Sequence, residues 1–194
     1  MVRARRLANV LRILLVAGTA GLLAACDTAA LSPSEVPPST PELAAGQVTE
    51  AGITLAATAD PAIVTSGEEI TVVVELSHDR SEPLVVSGSG GGIVGFSVTR
   101  VDDGLSSGPS VSSSDCARHE LPADEPTVIP FAKSGGWSED DPNAGFLRTY
   151  FSEPELTLPP GTWRIDITTS GMLGEGCIGE PFGHELALMV TVTD

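Results

Sequence analysis

From about residue 50 onward, apolar and polar side chains alternate with a period of two. Ile70, Val72, Val74 and Leu76 are interleaved with Thr71, Val73 and Glu75, and Trp163, Ile165 and Ile167 with Arg164, Asp166 and Thr168. The C-terminal run sets Leu186, Leu188, Val190 and Val192 against Glu185, Ala187, Met189 and Thr191. Successive side chains of an extended strand point to opposite faces, so each run predicts a strand with one face in a core. Shorter runs predict strands at 53–58, 84–87, 94–101, 128–131 and 146–151. Turn residues separate them: Asp60-Pro61, Ser66-Gly67, the Ser/Gly run 87–92, Asp102-Asp103-Gly104 and Pro159-Pro160-Gly161. No stretch carries the 3.6-residue period of an amphipathic helix. The pattern predicts an all-β protein: a single antiparallel β-sandwich of seven to eight strands over residues 51–194.

Ahead of that region the pattern changes. Arg3, Arg5, Arg6 and Arg12 precede an uncharged apolar run over residues 13–25, which ends in Leu23-Ala24-Ala25-Cys26. The run is shorter than the roughly 20 residues a spanning helix needs, and the basic start with small residues at the end has the form of a signal peptide. Leu23-Ala24-Ala25-Cys26 resembles the lipobox of bacterial lipoproteins. The resemblance covers residues 1–26 and implies that residues 1–25 are removed and that the Cys26 thiol carries a diacylglycerol. It also implies a protein held on the cell membrane, facing the extracytoplasmic side, and Asp27 would favour retention at the inner membrane of a cell with two membranes. Acyl chains contribute about 0.8 kcal/mol per buried methylene, so two or three hold a domain firmly. Residues 26–50 carry four prolines, several Ser and Thr and no aromatic or basic side chain. They predict a disordered tether with a mean span of about 25–30 Å.

Composition narrows the function. The chain has 26 acidic against 10 basic residues, and the leader takes four of the ten. A nucleic-acid-binding role is excluded, because affinity for phosphate polymers needs clustered Lys and Arg. Gly 21 and Pro 15 fit a turn-rich β protein. Two stretches, Ala59-Asp60-Pro61 followed by Ser66-Gly67-Glu68-Glu69-Ile70-Thr71-Val72, and Leu158-Pro159-Pro160-Gly161-Thr162-Trp163-Arg164-Ile165, resemble those of bacterial immunoglobulin-like domains. The second is similar to the entry into the penultimate strand of modules such as the BsuPI-type proteinase-inhibitor domain. The resemblance implies an immunoglobulin-like sandwich and, as one function, inhibition of extracytoplasmic proteases.

With Cys26 lipidated, two cysteines remain, and outside the cytosol Cys116 and Cys177 are expected to pair as a disulfide. Metal chemistry is the competing reading. Cys116 and His119 stand as C-x-x-H, and with Cys177 and His184 they offer a zinc ligand set. Cys177, His184 and Met189 before a valine-rich strand resemble the copper loop of cupredoxins, with His78 or His119 as the further imidazole. The Cys-to-His spacing is longer than in that family, and residues 170–176 separate the cysteine from its strand. Carboxylates at Asp102-Asp103, Asp124-Glu125 and Glu139-Asp140-Asp141 offer oxygens for calcium without an EF-hand spacing. The glycine run 87–92 lacks the helix and the lysine of a phosphate loop. H-E-x-x-H does not occur, and nothing in the sequence points to a nucleophile, a base and an orienting group, so no enzyme and no resident cofactor are expected.

The reading is a non-catalytic, monomeric binding module on a lipid anchor, with a protein or glycan ligand. Its recognition residues are expected on loops 102–125, 132–145 and 170–183, with Trp137 as an exposed aromatic anchor.

Overall fold

The computed structural model describes residues 43–194; the leader, Cys26 and most of the tether lie outside the described residues. Ten strands and one helix form two packed sheets, so the all-β sandwich expected from alternation is the fold. One sheet has the order β1 (Ala44–Glu50), β2 (Ile53–Asp60), β4 (Thr71–His78), β8 (Thr127–Pro130). The other runs β3 (Ile63–Thr65), β10 (Pro181–Thr193), β9 (Gly161–Leu173), β5 (Leu84–Gly88), β7 (Ala117–Leu121), with β6 (Val94–Arg100) also on β9. The long strand β9 is therefore the spine of this sheet. One flank pairs with β10 throughout, and the other pairs with β6 along its first part and β5 at its end.

The inward positions are those the alternation selects. Ile53 and Leu55 of β2, Val74 and Leu76 of β4, and Trp163, Ile165 and Ile167 of β9 are all sealed from solvent. Their burial supplies the main driving force, at about 1.5–3 kcal/mol for each large side chain.

Four expectations need correction. Residues 146–151 are not a strand but lie in helix α1 (Ala144–Ser152). Aromatic and Thr-rich residues favour strands locally, but Pro142 and Pro154 bracket a segment too short to be helical alone, and packing of Leu147 and Tyr150 into the core decides its state. The helix has no side-chain N-cap and no acidic residue in its first turn, which accords with support from packing. Secondly, β1 occupies 44–50, inside the stretch assigned to the tether. It is poor in bulky side chains because it packs closely over β10: a Cβ on Gly46 would lie 2.9 Å from Leu186 Cδ1. Ala51 and Gly52, both at positive φ, close its hairpin with β2. Thirdly, β3 pairs parallel to β10, so the sandwich is not wholly antiparallel. Finally, the loops are shorter than expected, because 102–125 contains β7 and half of 170–183 belongs to the arms of the β9–β10 hairpin.

Candidate functional site: the disulfide-pinned end of the sandwich

The ends of β5 and β9 and the starts of β6, β7 and β10 converge at one end of the larger sheet. Gly88 pairs with Ala117, Val86 with Leu173, Val94 with Thr169, and Pro181 with Met172. Cys116, at the foot of β7, and Cys177, in the tip of the β9–β10 hairpin, form the expected disulfide, with Cα atoms 5.9 Å apart and a separation of 61 in sequence. Closing a loop of that length removes unfolded-state entropy worth about 4 kcal/mol.

Serine hydroxyls reinforce the pin. Cys177 N donates to Ser87 Oγ at 2.9 Å, Ser113 N donates to Ser89 Oγ at 3.0 Å, and the two hydroxyls of Ser89 and Ser113 lie 2.8 Å apart. Gly90 N donates to Asp115 Oδ1 at 3.2 Å. Donation from Ser113 and from the Gly90 backbone holds the Asp115 carboxyl below its ordinary value. A Cβ at Gly90 would press on that carboxylate and displace it from the Gly90 amide. The Ser-rich segment 110–115 is thus tied back onto the β5–β6 turn.

The hairpin tip, Gly174-Glu175-Gly176-Cys177-Ile178-Gly179-Glu180, has positive φ at Gly174, Gly176, Cys177 and Gly179. A Cβ on Gly179 would strike the Leu173 carbonyl, so the turn needs glycine there. Between these constraints stands Ile178, 83 % exposed, the most exposed large apolar side chain among the described residues. Below it a groove of about 370 Å³ runs beside the disulfide, lined in part by Ser87, Ser112, Asp115, Met172, Pro181 and Phe182. A branched aliphatic group held on a cross-linked tip loses little entropy when it enters a partner's pocket.

Trp137 lies elsewhere and is only half-exposed. Its ring carries the Arg148 guanidinium at 5.1 Å, and Arg148 Nη2 donates to both Glu139 carboxylate oxygens, at 2.9 and 2.7 Å. The Trp137 loop meets the Ser-rich segment through one bond, Val111 N to Ser134 Oγ at 3.2 Å. Trp137 is therefore partly buried, packed against Arg148 of α1, and less exposed than the sequence led us to expect.

The copper and zinc sets do not assemble. The Cys177 thiol is spent in the disulfide. His184 is buried, and its Nε2 donates to the Ile53 carbonyl at 3.0 Å across the sandwich while Nδ1 accepts from Thr169 Oγ1 at 2.8 Å. Met189 faces outward on the opposite face of β10, about 16 Å along the strand from His184. The other two histidines also donate Nε2–H to backbone carbonyls, His78 to Leu121 at 3.0 Å and His119 to Ser89 at 2.9 Å. His78 and His184 thus bridge the two sheets. Among the described residues no three His, Cys, Asp or Glu side chains converge as a metal site. The acidic run at 139–141 is partly consumed, Glu139 by Arg148 and Asp141 by Ser138 N.

Sequence reasoning found both cysteines but passed over Ile178. An apolar residue beside a cysteine, within a run of turn glycines, was the signal available. Compared with known protein families and with curated proteins, the chain matches none.

Proposed function

We propose that this chain is an exported lipoprotein, anchored through Cys26 on the extracytoplasmic side of the cell membrane, whose monomeric immunoglobulin-like sandwich is a non-catalytic module for a protein ligand. The anchoring half rests on Leu23-Ala24-Ala25-Cys26 closing an Arg-rich apolar leader. The binding half rests on one observation, the exposure of Ile178 on a tip held by the Cys116–Cys177 disulfide. Ile178 takes over the anchor role expected of Trp137, and the flanking Glu175 and Glu180 favour a pocket with a basic rim.

Two experiments test the halves separately. Cys26→Ser should release the protein from the membrane fraction and abolish the mass increment of a diacylglycerol; continued membrane retention of an unmodified chain would refute the anchor. A photo-crosslinking residue at position 178, in the source cell, should give a discrete protein adduct that a crosslinker at Val128 does not. Equal labelling from both positions would refute the binding tip. A narrower reading, inhibition of an extracytoplasmic protease, is favoured by the same geometry, since a protease cleft accepts a projecting aliphatic side chain on a cross-linked loop. It predicts inhibition of an aliphatic-specific protease that is lost in Ile178→Asp.

A further inference from the structure

The second surface lies on the margin of the sandwich away from the hairpin tip. Strand β10 pairs with β9 from Pro181 to Val192 without interruption, but on its other edge β3 covers only Thr191–Thr193. Thr191 N donates to the Ala62 carbonyl, away from β9, whereas His184 N donates to Thr169 on β9. Odd-numbered residues of β10 therefore turn both N–H and C=O toward the outer edge. For Gly183, Glu185, Ala187 and Met189, these groups have no strand partner among the described residues.

Three further features describe what this edge fits. Its inner side is incompletely covered: Ala44 and Val48 of β1 and Leu186 of β10 pack on the core yet stay partly exposed where β1 overhangs β10. Its outer side borders a shallow depression of about 470 Å³ that spans β6, β9 and β10, where Asp166 is paired with Arg164 and Glu185 of β10 supplies the other carboxylate. Lastly, the charge is one-sided. Arg100, Arg118, Arg148 and Arg164 are each paired with a carboxylate and Lys133 with backbone carbonyls, which leaves Arg80 as the one basic side chain among the described residues without such a partner, so acidic groups dominate the free surface.

We infer that the outer edge of β10, from Gly183 to Met189, accepts an added strand from a protein partner: an extended segment with a basic side chain beside Glu185. Main-chain hydrogen bonds to the four odd residues supply affinity, and the alternate side chains of the segment cover Ala44, Val48 and Leu186 on one face and meet Glu185 on the other. The chain's own tether is a poor occupant, because Pro33, Pro37, Pro38 and Pro41 interrupt the donors a ladder needs. A second copy would set acidic edge against acidic edge. This inference is independent of the hairpin tip and survives if the tip binds nothing.

Hydrogen exchange with single-amide resolution on the full exported chain in detergent tests it. Without ligand, the amides of Gly183, Glu185, Ala187 and Met189 should exchange fast and those of the intervening residues slowly. The probe is a synthetic Thr-Val-Arg-Val-Thr-Val-Thr peptide, at about 1 mM given the weak affinity of a short unpreorganised strand. It should slow the four odd amides about fivefold or more, while the same peptide with Glu replacing Arg should act far more weakly. Ala187→Pro removes one edge donor without touching the β9 ladder and should abolish the effect. Any of four results overturns the inference: odd amides already slow in the chain alone, slowing that depends only on the protein's own concentration, no slowing by the Arg peptide, or equal slowing by the Glu peptide.

Discussion

The two ends of strand β9 are closed by different physics. At its C-terminal end a covalent bond and a web of serine hydroxyls hold a tip that projects Ile178 into solvent. At its N-terminal end the closure is aromatic and electrostatic. Trp163 is fully buried, donates Nε1–H to the Pro159 carbonyl at 2.8 Å and stacks with Phe146 at 5.5 Å, while Tyr150 packs on Phe146 at 5.6 Å. Lys133, the chain's single lysine, donates to the carbonyls of Tyr150, Glu153 and Glu155 at 2.6–2.7 Å and lies 4.5 Å from the Tyr150 ring. One ammonium thereby satisfies carbonyls that the end of α1 leaves open. The difference teaches that an end can be shut by burying its side chains, here beside a pocket of about 340 Å³ lined in part by Phe146, Tyr150, Leu158 and Pro159. An end pinned from outside by a cross-link keeps its tip free.

The sharpest break of that contrast is Trp163→Ala, expected to cost about 3–5 kcal/mol in denaturant unfolding. A loss below 1 kcal/mol would mean that the aromatic end is not what closes the core. Replacing both Cys116 and Cys177 with Ser should cost slightly less, about 3–4 kcal/mol. It should also loosen the tip, seen as faster amide exchange at 174–180 with β2 and β4 unchanged until global unfolding. Lys133→Met keeps the stem's bulk but leaves three carbonyls without their donor; about 2 kcal/mol is expected, with faster exchange confined to α1.

The only tyrosine sharpens the same comparison. Burial pushes Tyr150 up to about 12, against a small opposing effect from the Ser107 hydroxyl. Because burial disfavours the phenolate, this contribution to stability is complete below pH 10 and is lost as the pH rises from 10 through about 12. Ultraviolet titration should therefore give a midpoint near 12, falling toward 10 in Lys133→Met if the lysine holds α1 down. A wild-type midpoint near 10 would contradict the burial. Smallest of all, Ile178→Asp should change stability by less than about 0.5 kcal/mol, because the side chain touches little in the fold.

Much of the fold was legible in particular residues. The alternation at 70–76, 163–168 and 186–192 marked the inward faces of β4, β9 and β10, and the two non-leader cysteines marked the pin. What escaped had weak local signals. Strand β1 is built from small side chains because a neighbouring strand lies against it, and α1 is helical despite strand-favouring residues because Tyr150 and Leu147 find a core there. The metal reading failed for a similar reason: spacing along the chain placed Cys177, His184 and Met189 together, while the pleat put His184 and Met189 on opposite faces.

By itself, the sequence determined the two-sheet class, the inward residues and the disulfide partners. These follow from a period-two pattern and a count of thiols, which are properties of the chain. Only the tertiary structure decided that three histidines bind carbonyls and not metal, that Trp137 is partly buried while Ile178 is free, and that one edge of β10 is left open. Each of these depends on which distant groups the fold brings against a side chain or strand, and that is set by packing.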